Sequence, residues 1–393
     1  MALPSSSGWA SLSKTLLGSI LDYLEPMEDY FTFGEVCIQW QYAVREKLRH
    51  LCSNHKRHCR LHQQVPLLMA PTADNPKERC CLYDVMNGKS LWEVQLRQGR
   101  WRYEGSSHGW LILVNNDSYK VTLHNPFSGK LIHLPPLEKS SSLELSGSEY
   151  RTIFPYNLRR GVLSIDPDVN GDEFVLMMTC GSLVVRLAFI KSGEKDWTYI
   201  EGLRDVKDIV YSNGLFYVLD GRGVLFSCDV SSDLKVRRIT SPDIDCALVS
   251  YLVESPEGDL LRVIKHERGF VIYKLQWFSK NPVESPEGDL LQVTKHEGGY
   301  VIYKLQWFSK NPRWEEVMSL GDVALFLGDN HSISVITSDF AGCRPNSIYF
   351  CQRYSFFSNA DGSMYVFSLS DRTVTLLYPH SPQPLLWISP KFA

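Results

Sequence analysis

Apolar residues in the first forty positions recur at steps of three and four, the spacing of one face of an α-helix. Pro26 interrupts the pattern because proline has no backbone N–H to donate and its ring clashes with the preceding turn. We therefore expect two short amphipathic helices, the second with Asp29 as N-cap. Helices this short cannot bury all their apolar surface between them, so part of it should face another element or another protein. The apolar positions of the first helix are Leu12, Leu16, Leu17, Ile20, Leu21 and Leu24. Those expected on the inner face of the second are Phe33, Val36, Cys37 and Trp40.

From about residue 80 onward, short alternating or apolar runs are separated by Gly, Asn, Asp and Ser. The clearest unit covers residues 208–240, where turns at Ser212-Asn213-Gly214 and Gly221-Arg222-Gly223 help to separate four predicted strands. This unit predicts one antiparallel meander sheet. A series of such sheets predicts a β-propeller, and ~45 residues per blade gives six or seven blades. An array of β-sandwiches is the alternative.

These two patterns together predict an α+β multidomain chain. A small all-α domain is expected at 1–62 and an all-β propeller at 80–393. Pro66, Pro71 and Pro76, with polar residues around them, predict a linker at 63–79.

A tandem repeat lies within the β-rich part. Residues 253–282 and 283–312 are identical at 26 of 30 positions, which indicates a recent tandem duplication or an error of gene assembly. The sequence of each copy predicts a two-stranded hairpin rather than a whole four-stranded blade. The four differences are Arg262/Gln292, Ile264/Thr294, Arg268/Gly298 and Phe270/Tyr300.

One copy of the repeat should complete a blade, and the other should bulge from its edge. The sequence leaves open which copy does so, although only the second leads directly into the predicted closing strand at 313–320. Deleting residues 253–282 is expected to raise melting temperature and solubility. The bulged copy would leave apolar residues such as Ile272, Leu275 and Trp277 partly exposed.

The N-terminal pattern resembles the F-box, the helical module that docks on the Skp-type adaptor of SCF ubiquitin ligases. The family usually has Leu-Pro where this chain has Leu12-Ser13, and Ser13 can cap the helix through its hydroxyl instead. A helical hairpin packed on its own domain is the alternative. The residues that carry the resemblance are Leu12, Leu16, Leu17, Ile20, Leu24, Asp29, Val36, Cys37 and Trp40.

The β-rich part also resembles a known group, the kelch-like C-terminal domain of a large plant family of F-box proteins. The stretches that carry this resemblance are 125–137, 320–335 and 343–350. It implies a propeller that recruits a substrate protein, and it implies no catalytic residues.

Composition narrows the class of protein. The 393 residues carry a net charge of -3, which gives no general attraction to nucleic acid or to a membrane surface. The first eight residues lack the features of a secretory signal. The 10 cysteines show no repeating framework, so we expect reduced thiols in the cytoplasm or nucleus.

Candidate chemical motifs are weak. The sequence of residues 166–171 resembles the start of a calcium-binding loop, but Met177 occupies the twelfth position, where such a loop has a bidentate Glu. No phosphate loop, dinucleotide fingerprint or nucleophile elbow occurs, so we expect neither a cofactor nor a metal. Cys52, His55, His58, Cys59 and His62 form a cluster whose spacing fits no zinc pattern.

The resemblance to these two F-box families implies that the chain is a non-catalytic substrate receptor of an SCF-type ubiquitin ligase. Its partners would be a Skp-type adaptor, a cullin reached through that adaptor, and an unidentified target protein. A binding propeller without a ligase link and a propeller enzyme acting on sugars or phosphoesters are the alternatives. Adaptor docking, or the helix packing behind it, would involve Leu12, Leu16, Leu17, Ile20, Leu24, Val36, Cys37 and Trp40.

Overall fold

The computed structural model describes most of the chain. It covers residues 9, 12–24, 27–34, 36–40, 42–44, 46–47, 65–72, 79–95, 101–137, 160–168, 173–180, 185–203, 205–241, 250–266, 269–276, 292–296, 299–303, 313–328, 331–351, 363–378 and 386–389. Helix α1 is Lys14–Leu21 and helix α2 is Met27–Gly34. Further helical turns occupy 38–40, 42–44 and 46–47. In the described residues, no helix is long and apolar enough to cross a membrane.

In the part of the chain that the structure describes, five four-stranded antiparallel sheets form the blades. The first contains β1 (Leu67–Pro71), β2 (Arg79–Asp84), β3 (Lys89–Gln95) and a strand from the end of the chain, β27 (Leu386–Ile388). The second contains β4 (Trp101–Ser107), β5 (Trp110–Asn115), β6 (Lys120–His124) and β7 (Leu131–Pro136). The third contains β8 (Gly161–Leu163), β9 (Val175–Cys180), β10 (Arg186–Lys191) and β11 (Thr198–Ile200), and the fourth β12 (Val206–Ser212), β13 (Leu215–Asp220), β14 (Leu225–Asp229) and β15 (Lys235–Arg238). The fourth blade confirms the meander predicted at 208–240.

The fifth blade contains one copy of the repeat. Its strands are β16 (Ser250–Glu254), β17 (Leu260–His266), β18 (Gly269–Gln276) and β21 (Arg313–Val317). The second copy forms a separate two-stranded hairpin of β19 (Gln292–His296) and β20 (Gly299–Tyr303).

The sixth sheet has five strands and is not a simple meander, because its strands β22 (Val323–Leu327) and β24 (Ser347–Cys351) pair in parallel. In sheet order it contains β23 (Ile333–Ile336), β22, β24, β25 (Met364–Ser368) and β26 (Val374–Tyr378). A 3-10 turn at Thr337–Asp339 directly follows β23. The expectation of six or seven regular blades is therefore wrong. The expectation came from dividing the length of the propeller region by a constant number of residues per blade. That division counts the surplus hairpin and this irregular sheet as regular blades.

The end of the chain closes the ring. Strand β27 (Leu386–Ile388) pairs with β1, placing Trp387 opposite Leu68. The buried Trp387 indole donates a hydrogen bond to the Leu327 carbonyl at 2.9 Å and packs edge-on against Phe326 of the sixth sheet. The first blade thus joins residues from both ends of the propeller. Buried apolar clusters fill the space between neighbouring sheets.

The expected fold class is also wrong at the N-terminus, because the residues described there form no distinct all-α domain. The helices are too short to bury their apolar stripes alone, so they pack against the first blades. The described part of the chain is nearly all-β, and the segment predicted as a linker contains β1. One buried cluster joins Leu17, Leu21, Tyr30, Phe33, Trp40, Ala43 and Val44 of the helices to Leu67, Met69, Cys80, Leu82, Val94, Leu111, Phe127, Leu386 and Ile388 of the propeller.

The structure also shows which copy of the repeat completes the fifth blade, a point that the sequence left open. The first copy occupies the blade, because β18 pairs directly with β21, with Ile272 opposite Val317. Ile272 is consequently buried rather than exposed, so the reason for deleting residues 253–282 fails. Trp277 lies outside the described residues.

Candidate functional site

Helix α1 carries the first group of candidate residues. The Ser13 hydroxyl accepts a hydrogen bond from the Leu16 N–H at 3.3 Å, so Ser13 is the N-cap, as the sequence predicted. Leu17 and Leu21 are four positions apart and therefore share a face, and both are buried against the propeller. Helix α1 thus has a fixed inner side.

Specific contacts connect α2 with the end of α1, and the turn after α2 with both α2 and a residue that precedes α1. The Tyr30 hydroxyl donates to the Leu21 carbonyl at 2.9 Å. The Phe33 and Trp40 rings lie 4.2 Å apart, and the Trp40 indole donates to the Trp9 carbonyl at 3.1 Å. Asp29 lies inside α2, which begins at Met27, so its predicted role as N-cap is wrong.

The same segment exposes much apolar surface. Twelve large hydrophobic residues are exposed in the described part of the chain, and six of them lie within residues 9–42. The other six are spread over five different strands or loops of the propeller. Such a concentration marks an interaction surface more often than scattered single residues do. We call the six the exposed helical residues: Trp9, Leu16, Tyr23, Val36, Ile38 and Tyr42, each 53–86% exposed.

Charged side chains tie α1 to the later helical turns. The Lys14 ammonium lies 2.9 Å from a Glu46 carboxylate oxygen and 4.7 Å from the centroid of the Tyr42 ring. The hydrogen bond to Glu46 raises the pKa of Lys14. Lys47 pairs with Asp22 in the same way. These pairs connect the elements that carry the exposed helical residues.

The eight predicted docking residues divide into three groups. Leu16 and Val36 are exposed, and Leu17 and Trp40 are buried in the core cluster. The predicted inner position of Val36 is wrong, because α2 ends at Gly34 and Val36 follows it in a bend. Whether any of the eight binds an adaptor stays a prediction. The half-buried group is Leu12, Ile20, Leu24 and Cys37.

Sequence reasoning missed four exposed helical residues: Trp9, Tyr23, Ile38 and Tyr42. Tyr23 and Ile38 do not belong to the set of apolar residues spaced at steps of three and four. Ile38 and Tyr42 are themselves four positions apart, so this second stripe was a signal in the sequence.

The first strands of neighbouring blades meet around the centre of the propeller and carry a second candidate site. An enzyme would need carboxylates there that are available to a substrate. The described carboxylates instead have partners within the protein. Glu104 lies 2.8 Å from Arg102, Asp208 lies 2.8 Å from Arg160, and Glu254 accepts a hydrogen bond from the Ser212 hydroxyl at 2.7 Å.

Buried thiols are equally poor candidates for a nucleophile. Burial raises the pKa of Cys80 and of Cys228 to about 12, so both stay protonated near neutral pH. In the described ranges, no three His, Cys, Asp or Glu side chains come together as metal ligands. The Cys52–His62 cluster lies outside them. Asp166, from the calcium-like stretch, accepts a hydrogen bond from the Trp110 indole at 3.0 Å.

Comparison with known proteins gives one family model, described as the KIB1-4 beta-propeller, which matches residues 82–368. The Arabidopsis thaliana "Probable F-box protein At4g22165" is 24% identical over 357 residues, 85% of this chain and 86% of that protein. "F-box protein SKIP23" of the same plant is 26% identical over 378 residues, 87% and 83% of the two chains. A solved protein from Lactobacillus plantarum aligns with 83% of this chain and 99% of its own, at 10% identity and a TM-score of 0.40. A kelch-like propeller is not confirmed.

Proposed function

Because the chain belongs to the KIB1-4 β-propeller family, we propose that it is a substrate-recognition subunit of an SCF-type cullin–RING ubiquitin ligase. In this proposal the N-terminal helices bind a Skp-type adaptor, through it a cullin, and the propeller binds a target protein. The protein acts in the cytoplasm or nucleus and drives target degradation. Relatives that match nearly the whole chain bear the F-box name, which supports the adaptor link.

The observation that carries the proposal is the two-sided character of α1. Leu17 is 2% exposed and packs on the propeller, whereas its neighbour Leu16 is 54% exposed. An adaptor that covers Leu16 and Val36 would bury apolar surface without displacing the contacts that hold the helices to the blades. Burial of such side chains is the dominant favourable term in protein association.

The mechanism is proximity rather than catalysis by this chain. The adaptor and cullin arm would place the ubiquitin-carrying enzyme near a target held by the propeller, which raises the effective concentration of the target's lysines. Direct packing of the helices on the first blades favours this role, because a fixed connection fixes the distance over which ubiquitin is delivered.

Titration of the purified chain with a purified Skp-type adaptor tests the proposal. The Leu16→Asp, Val36→Asp variant places two charges where the adaptor would exclude water, so affinity should fall at least roughly 100-fold, or about 2.7 kcal/mol. Leu131→Asp is the matched control, since Leu131 is also exposed but lies on β7 of the second blade.

Wild-type binding that is lost in the helix variant and kept in the control would support the receptor role. Equal binding by all three proteins would refute the assigned surface. No binding by folded wild type would refute the ligase link. Leu17→Asp is unsuitable for this test, because a charge at that buried position disrupts the core as well.

A further inference from the structure

The two copies of the repeat fold into hairpins with the same register. In the first copy Ile264 lies opposite Val271, and in the second Thr294 lies opposite Val301. Each residue is thirty positions from its counterpart, so the two hairpins are equivalent in backbone geometry as well as in sequence. The two hairpins differ in position. One lies in the fifth blade, whereas the other pairs with no further strand among the described residues.

The place in the blade is defined by the neighbouring strands. Strand β17 pairs with β16, and β18 pairs with β21, through antiparallel ladders. These ladders are made by backbone groups, which both copies present in the same register. Nothing in the ladders therefore selects the first copy.

Chain connectivity does not select it either. With the first copy in the blade, the surplus thirty residues lie between β18 and β21. With the second copy in the blade, they would lie between β16 and β19. Because the entropic cost of a loop depends on its length, the two arrangements carry closely similar costs.

The substitutions that fall on buried blade positions oppose one another. Arg262 is buried in the blade, where a charge needs a partner, and Gln292 at the equivalent position carries no charge to compensate. Ile264 is also buried, and Thr294 in its place would bury a hydroxyl and less apolar surface. One change favours the second copy in the blade and the other favours the first.

We propose that the two hairpins exchange for a single place in the fifth blade. The protein then has two conformations, with either residues 260–276 or residues 290–306 between β16 and β21. Among the described residues, the displaced hairpin has two strand edges that pair with no other strand. Exchange moves this hairpin from the connection between β18 and β21 to the connection that follows β16. This inference is independent of the ligase role.

Two engineered cysteine pairs distinguish the conformations. Ser250 of β16 lies opposite Ile264, so Ser250→Cys with Ile264→Cys reports the first copy in the blade. Ser250→Cys with Thr294→Cys reports the second. Directly opposite residues of antiparallel strands have the Cα separation that a disulfide needs. Oxidation of each full-length variant is followed by peptide mapping and by separation of monomer from dimer.

We expect an intramolecular disulfide in both variants. Failure of the 250–294 pair to form, or its formation only between two molecules, would overturn the exchange proposal. A second experiment removes residues 253–282 from the Ser250→Cys, Thr294→Cys variant, which leaves only the second copy. The shortened chain should fold and form the disulfide, whereas an unfolded chain or an uncrosslinked one would show that the second copy cannot complete the blade.

Discussion

Arg160 and Asp208 form an ion pair, with 2.8 Å between Arg160 Nη1 and Asp208 Oδ1, although neither side chain is more than 2% exposed. The Asp208 carboxylate also accepts hydrogen bonds from the N–H groups of Ile209 and Leu252, each at 2.7 Å. Arg160 precedes β8, Asp208 lies in β12 and Leu252 lies in β16. One carboxylate therefore links the third, fourth and fifth blades where their first strands meet.

Breaking this pair should destabilise the protein strongly. Asp208→Ala leaves the Arg160 charge buried without its partner, so the free energy of unfolding should fall by about 3–5 kcal/mol. Urea denaturation at neutral pH measures the change. The double variant Arg160→Met, Asp208→Leu should lose less than Asp208→Ala, because it buries no charge. A loss below about 1 kcal/mol in Asp208→Ala would mean that the pair behaves like a surface pair.

Two glycines should respond oppositely to replacement by alanine. A Cβ on Gly105 of β4 would lie 2.7 Å from the carbonyl oxygen of Gly161 of β8, so Gly105→Ala must push two blades apart at a cost of about 1–3 kcal/mol. A Cβ on Gly18 of α1 would meet nothing within 4 Å. Gly18→Ala should therefore stabilise the helix by up to about 1 kcal/mol. Thermal unfolding of both variants checks the prediction, and equal shifts would contradict it.

Alkaline pH should reveal the buried Cys228 thiol. Burial raises its pKa from 9.0 to about 12, so between these values the unfolded chain has lost a proton that the folded chain retains. Unfolding in this pH range therefore releases a proton. The contribution of Cys228 to the free energy of unfolding is complete below pH 9.0 and is lost as the pH rises toward 12. The free energy of unfolding of Cys228→Ala should fall less steeply than that of the wild type, by about 1.4 kcal/mol per pH unit. Urea denaturation at pH 9.5 and 10.5 measures both slopes, and identical slopes would contradict the assignment.

Sequence periodicity predicted the local structure well. The steps of three and four placed Leu17 and Leu21 on one buried face, and Ser13 was identified as a cap. The turn at Asn213-Gly214 was also predicted, and both residues have positive φ, as a tight hairpin turn requires. These features depend on interactions between residues close in the chain.

Features that depend on distant residues were not predictable in the same way. Nothing near Leu67 shows that Ile388 will pair with it and close the ring, so β1 was taken for a linker. The parallel pairing of Leu325 with Ile348 is likewise invisible to a two-residue period. Periodicity also distinguishes the buried face of a helix from its exposed face, but it does not show which element the buried face packs against. The N-terminal helices were therefore predicted to be a separate domain, although Leu17 packs on the propeller.

We propose that the outer side of the N-terminal helices binds a Skp-type adaptor while their inner side stays on the propeller. Amide hydrogen exchange of the chain, alone and with saturating adaptor, tests it most directly. We predict slower exchange in α1 and in residues 36–44 on binding, with unchanged exchange in β4–β7 of the second blade. Slower exchange confined to the propeller, or no change at saturating adaptor, would contradict the claim.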